Sequence, residues 1–206
     1  MFKLSLFFCL FLSIFSFCQK KLCQNVIKTN NDSFYLICRG TTSKIGFISD
    51  FNLKDKNITH VGIGVIENNK ITIYNVNNEE NKNGNLFIEN LESFINPTDI
   101  NYLSIWECKS NYKEIKLLKE ILNNYKSIKI TFDMDFSENG PYKLYCSEFC
   151  ATVLRKLNPK KYNYYLNSKN LDLAYTRALH REILNYYPVD FFQINNRFNK
   201  IYETFY

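Results

Sequence analysis

Only two histidines stand in the 206 residues, beside one tryptophan, two methionines, four prolines and six glycines. Each shortage closes off a class of answers. Imidazole chemistry is confined to His60 or His180. No Pro-, Gly- or Ser-rich linker divides the chain and no segment repeats, so the length fits one domain. No block of like charge is longer than a pair such as Lys20-Lys21 or Lys160-Lys161. The formal charge of +6 is spread with both signs interspersed, a solvated surface rather than the basic stripe of a nucleic-acid binder. Cys146 and Cys150 stand apart from histidines and other cysteine pairs, so the four-ligand spacing of a structural zinc site is missing. Neither a metal nor a cofactor is expected.

The chain is rich in apolar and aromatic side chains. Hydrophobic residues make up 46% and aromatics 17%, with 18 Phe and 15 Tyr, enough for a sizeable core. The N-terminus has the pattern of a secretory signal. Lys3 supplies the positive start, and Leu4 to Phe17 form an apolar run short of a comfortable bilayer span. Ser16 and Cys18, flanking Phe17, give a small-x-small cleavage pattern. Residues 1–18 are therefore expected to be a signal peptide and 19–206 a single domain, exported to the periplasm or the cell exterior. The alternatives are lipidation at Cys18, where Phe17 is bulky for the residue before a lipidated cysteine, and an uncleaved anchor. Removal of the leader leaves Cys23, Cys38, Cys108, Cys146 and Cys150, an odd count that leaves at least one thiol unpaired.

Alternation and turn residues predict strands at Ser33 to Cys38, Ile58 to Ile66, Lys70 to Val76, Tyr102 to Glu107 and Ile128 to Phe132. Asn68-Asn69 suits a two-residue hairpin turn, because Asn tolerates the left-handed conformation. Gly40 to Lys56 and Asn78 to Asn85 read as loops, and Asn90 to Ile95 as a helical turn closed by Pro97. Asn111, with Glu114 three residues on, reads as the cap of a helix burying Ile115, Leu117, Leu118, Ile121 and Leu122. Ala174 to Leu184 reads as a last helix. The sum is an α+β fold with a mostly antiparallel sheet.

The segment Tyr145-Cys146-Ser147-Glu148-Phe149-Cys150 opens another helix. Phe149, Cys150, Val153, Leu154 and Leu157 share one face, and Cys146 lies on it one turn earlier. The free N–H groups and positive end of a helix favour an anion there. A thiol in that place is expected to ionise at lower pH than a free cysteine, and the thiolate is the nucleophile.

His180 fits a surface helix. His60 stands in Ile58-Thr59-His60-Val61-Gly62-Ile63-Gly64-Val65, where alternation puts Val61, Ile63 and Val65 on one face and His60, Gly62 and Gly64 on the other. A strand glycine is usual where something must come close. The expectation is that the Cys146 helix packs over the bare glycine strip and brings sulfur to imidazole, the geometry of a Cys–His pair. The two-residue turn sets Gly62 opposite Asn75 and His60 opposite Asn77. Either amide could hold the ring, and spacing does not choose between them.

THVGIGV followed after about eighty residues by YCSEF resembles the YiiX/YaeF (YebB) branch of permuted papain-like amidases, relatives of the NlpC-type cell-wall peptidases. FDMDF (Phe132 to Phe136) is similar to that family's Asp-containing strand, and YYPVDFF (Tyr186 to Phe192) to its tail. The resemblance covers roughly Asp32 to Phe192. It implies a circularly permuted papain-like fold with Cys146 as nucleophile, His60 as general base and Asn75 as the third polar residue, where many members carry Glu. Phe149 departs from the usual Leu. The implied activity is a cysteine amidase or peptidase that forms an acyl-thioester on a cell-wall peptide or a lipid-linked amide, the latter at or near a membrane. The alternatives are an acyltransferase or thioesterase on the same scaffold, a catalytically silent lipid- or glycan-binding module, and an exported structural protein with disulfides among Cys23, Cys38, Cys108 and Cys150.

Overall fold

The computed structural model describes Ile27 and residues 32–81, 84–136 and 140–206. The expected leader at 1–18, its expected cleavage point and Cys23 lie outside the described residues. In chain order the elements are β1 (Ser33–Thr41), α1 (Thr42–Ile48), a 3-10 turn (Ser49–Phe51), β2 (His60–Glu67), β3 (Lys70–Asn81), β4 (Gly84–Glu89), α2 (Leu91–Phe94) and β5 (Ile100–Lys109). There follow α3 (Tyr112–Lys126), β6 (Thr131–Phe132), β7 (Lys143–Leu144), α4 (Cys146–Leu157), β8 (Asn167–Asn170), α5 (Leu173–Leu179), β9 (Ile183–Tyr186), a second 3-10 turn (Phe191–Ile194) and β10 (Asn199–Phe205). The class is α+β. Six strands form one antiparallel sheet in the order β10-β5-β1-β2-β3-β4.

The sheet is buried on both sides, so its central strand is apolar without a break from Phe34 to Cys38, and every position of β1 is buried. Phe34, Leu36, Val61, Ile63, Tyr74 and Val76 face α3 and α4. Tyr35, Ile37, Ile73, Leu103 and Ile105 face the opposite way, against Leu91 and Phe94 of α2. Helix α3 buries Ile115, Leu118 and Leu122 as its periodicity requires, with Tyr125 as well. Leu117 is 41% exposed instead, because it falls outside the stripe that faces α4. Asn111 caps this helix by accepting the Glu114 N–H at 3.0 Å, and Asn90 caps α2 by accepting from Ser93 at 2.8 Å.

The hairpin after β2 forms as the asparagines dictate. Asn68 and Asn69 take φ of 50° and 60°, and Glu67 pairs with Lys70. Elsewhere tertiary contacts override local pattern. Gly40 to Lys56 is not a loop: α1 forms there, tied by the Thr42 N–H to the Asp99 carbonyl at 3.0 Å and the Ser43 N–H to the Asp99 carboxylate at 3.1 Å. Most of Asn78 to Asn85 joins β3 and β4, and Asn85 donates to the Ile130 carbonyl at 2.8 Å. At Gly84, φ is +75° and a Cβ would sit 2.3 Å from the Ile130 oxygen, a close approach only glycine permits. The last helix stops at Leu179, where His180 turns left-handed with φ 52°, and Leu184 passes into β9.

Asp190, in the YYPVDFF segment, is fully buried. Its carboxylate accepts the backbone N–H groups of Leu53, Lys54 and Asp55 at 3.0, 2.6 and 2.9 Å. It pins the chain between α1 and β2 to the tail. Asp190→Ala leaves three N–H groups without their acceptor and is expected to cost about 3 kcal/mol of stability, read from the shift in denaturation midpoint; an unchanged midpoint contradicts the anchoring role.

Candidate active site

Helix α4 begins at Cys146 after an extended Tyr145. Two side chains at its start hold the tail against it. Ser147 Oγ donates to the Tyr187 carbonyl at 2.7 Å, and the Tyr145 hydroxyl accepts the Tyr187 N–H at 2.7 Å. Cys146 is 7% exposed and His60 4%. Both line one cavity of about 460 Å³, with Lys44, Thr59 and Asn77.

The route by which Cys146 and His60 come to line one cavity differs from the one the strand pattern suggested. The Gly62 and Gly64 strip is not covered by α4. A Cβ on Gly62 would lie 2.7 Å from Ile73 Cγ2 and 3.1 Å from Asn75 Cβ, and one on Gly64 would lie 2.7 Å from Ile71 Cδ1. The glycines make room for side chains of the neighbouring strand. Helix α4 packs on the other face, against Val61, Ile63 and Val65. The two sides connect where the β2–β3 ladder ends, at Ile63 and Tyr74. Beyond that point the peptide groups of Val61 serve the helix. The Val61 carbonyl accepts from Cys150 Sγ at 3.9 Å, and the Val61 N–H favours the charged form of the Cys146 thiol. Cys146 therefore reaches the sheet at the residue next to His60.

The register sets Asn77 opposite His60, yet the ring reaches diagonally to Asn75. His60 Nε2 lies 2.9 Å from Asn75 Oδ1, while Asn77 Oδ1 accepts the Asn78 N–H at 2.9 Å. Asn75 Nδ2 in turn donates to Glu89 Oε1 at 2.7 Å. A carboxylate only accepts, so this bond fixes the orientation of the amide. Asn75 Oδ1 then faces imidazole, Nε2 carries the proton, and Nδ1 is left with the lone pair. Glu89, on the strand beyond, is a site residue the sequence did not single out. Its only signal was the β3–β4 register, which sets Ile73 opposite Glu89 and so depended on a loop being read as strand. On its other side the His60 ring lies 5.7 Å from that of Phe94, over which Arg39 is stacked at 4.6 Å.

Burial lowers the His60 pKa well below 6.5; the Arg39 and Lys44 charges lower it further, and the Asn75 bond opposes only in part. Burial raises the Cys146 thiol above its usual value, and the Val61 and Ser147 N–H groups with the Lys44 and Arg39 charges only partly offset this. Burial therefore works against the expected helix-stabilised thiolate and favours the neutral forms of both the Cys146 thiol and the His60 imidazole. Burial likewise raises Glu89, against the Asn75 bond and Arg39. Cys38, Cys108, Cys146 and Cys150 are all free, so the disulfides expected among the last four-cysteine set do not form between its described members. His180 is exposed at the end of α5 and is not among the residues that line this cavity. Of the family-like segment at Phe132, Asp133 is buried and pairs with Lys143 at 3.2 Å, bracing one cavity wall.

No protein-family model matches the chain, and no curated protein matches it. Among solved structures it is similar to the metalloprotein YiiX from Escherichia coli O157:H7, with 12% identity over 84% of this chain and 97% of that one, and a TM-score of 0.61. The chain has a YiiX-like fold. Among the described residues no group of three or more His, Cys, Asp and Glu side chains converges as a metal site needs, so the side chains here do not fit the metal of that protein's name.

Two outcomes follow from this geometry. Gly62→Ala is expected to cost about 1–3 kcal/mol by overpacking against Ile73 and Asn75, measured by denaturation. In the unfolded chain His60 titrates near 6.5, whereas the folded chain resists its protonation. Stability is therefore expected to fall as pH drops below about 6.5, and the fall should be smaller in His60→Gln when melting is followed from pH 7 to pH 5.

Proposed function

We propose that the chain is a cysteine-dependent amidase with a permuted papain-like arrangement, in which Cys146 is the nucleophile, His60 the general base and Asn75 the residue that orients it. The observation that carries this reading is the 2.9 Å contact between His60 Nε2 and Asn75 Oδ1 in a cavity that also holds Cys146. It leaves the basic nitrogen of a neutral imidazole free for a neutral thiol.

In the proposed reaction Nδ1 takes the thiol proton as sulfur adds to the substrate carbonyl. A lowered imidazole pKa keeps the base unprotonated, and proton transfer during attack removes the need for a standing thiolate. The backbone N–H groups at the start of α4 face the developing oxyanion. The imidazolium then protonates the leaving amine, and water drawn through the same nitrogen releases the acid from the thioester. Asn75 orients the ring without a charge of its own; Glu89 supplies a negative charge one residue further off. Transfer of the acyl group to another acceptor, or hydrolysis of an ester or thioester, needs no different residue. A silent lipid-binding module is the second reading, favoured by the apolar cavity walls. Export is proposed on residues 1–18.

Cys146→Ala is expected to abolish labelling by a thiol-directed acyl probe while the chain stays folded by circular dichroism; equal labelling of that variant sinks the assignment. His60→Ala is expected to lower turnover by about 10²- to 10⁴-fold. Asn75→Asp places a carboxylate on imidazole, raises its pKa, and is expected to move the acid limb of kcat/KM to higher pH.

A further inference from the structure

Three side chains on three adjacent strands form one line of hydrogen bonds. His60 of β2 meets Asn75 of β3 at 2.9 Å, and Asn75 meets Glu89 of β4 at 2.7 Å. Asn75 is fully buried. Its oxygen serves one neighbour and its nitrogen the other, so the two bonds reverse together or not at all. The charged groups that act on Glu89 are Arg39 of β1 and Glu79 of β3. Arg39 is itself buried, stacks on Phe94 and donates through Nη1 to the Phe94 carbonyl. Glu92, the charged residue of α2, is exposed, and β4 carries no charged residue besides Glu89.

We infer that Glu89 is a positioning residue whose own proton decides, through the Asn75 amide, whether His60 has a basic nitrogen to offer. The inference rests on the cysteine reading above and adds its control. With Glu89 ionised, one arrangement satisfies all three groups. The carboxylate takes the amide N–H, Asn75 Oδ1 takes the ring Nε2–H, and the lone pair on Nδ1 stays unspent. A protonated Glu89 can donate as well as accept. Its hydroxyl can give to Asn75 Oδ1 once the amide has turned over, and Asn75 Nδ2 then gives to the ring Nε2. The ring is still neutral, but its proton has moved to Nδ1 and its one lone pair is spent on Asn75. No base is left for the thiol. The added proton sits on Glu89, and the ring has exchanged one for one. Burial sets the order of events. It favours the uncharged Glu89 carboxyl and disfavours the charged His60 ring. On acidification the first proton therefore goes to Glu89, and the amide turns before any imidazolium forms. Arg39 and the Asn75 bond oppose that proton and hold the carboxylate at higher pH.

The test follows the ring nitrogens by NMR of nitrogen-labelled histidine in Cys146→Ala, which needs no turnover and has only His60 and His180 to assign. At neutral pH His60 should carry its proton on Nε2. On acidification it should pass through the Nδ1–H form before the imidazolium appears. Adding Glu89→Gln, whose amide both gives and accepts, should bring a share of the Nδ1–H form to neutral pH; the titration of Cys146→Ala alone decides if that variant does not fold. A ring that keeps Nε2–H until the imidazolium forms overturns the inference and leaves the cysteine reading standing. Kinetics with p-nitrophenyl acetate, counting only turnover lost in Cys146→Ala, read the consequence. Glu89→Gln should lower kcat/KM at neutral pH by about twofold or more, as the competent fraction falls to half or below. It should also move the acid limb to lower pH, where His60 alone titrates. An acid limb unchanged by Glu89→Gln overturns the control by Glu89. If the ring nitrogens behave as expected but no turnover depends on Cys146, the cysteine reading fails and the relay from Glu89 to His60 stands.

Discussion

The end of the ladder between β2 and β3 governs the rest of the site. A strand that stops pairing leaves peptide groups in need of partners, and buried ones rarely go without. At Val61 the carbonyl finds its partner on α4, accepting from Cys150 Sγ. The same interruption frees His60 to lean across to Asn75. One local break in the sheet thus sets both where α4 is bonded to β2 and where His60 finds its partner. Cys150, which packing arguments alone would treat as a small apolar residue, is part of that hold.

The electrostatic state follows from burial more than from the helix. A helix terminus favours an anion by at most about 2 kcal/mol, whereas desolvation acts on thiol and imidazole alike and drives both towards neutrality. The remaining order comes from hydrogen bonds. Glu89 fixes Asn75, Asn75 fixes the tautomer of His60, and the tautomer decides which ring nitrogen keeps the lone pair. The polar chain runs from strand to strand across the sheet, so its members hold their places through backbone register rather than through loops.

Around this rigid centre the walls come from segments that are short and locally indistinct. Helix α1 has no buried residue of its own and depends on Asp99. The segment between α1 and β2 is pinned by Asp190, and the 132–136 segment is braced by Lys143. Distant charges and peptide groups therefore shape an apolar cavity to which they contribute little surface.

Much of this was legible in the residues. The continuous apolar run of β1, the Asn68-Asn69 turn and its register, the cap at Asn111 and the face of α4 all follow from local rules, because each depends on neighbours within a few positions. Cys146, His60 and Asn75 could be picked out as a set by alternation, helical spacing and resemblance. What the local pattern could not decide was which face of β2 the helix would cover, how far burial would shift the two ionisable groups, or that Glu89 would stand behind Asn75. Nor could it show that Gly40 to Lys56 forms a cavity wall. Those outcomes are set by partners tens of residues away, whose contacts exist only after the sheet has closed; the chain determined its candidate chemistry locally, and the tertiary structure decided how that chemistry is charged, oriented and enclosed.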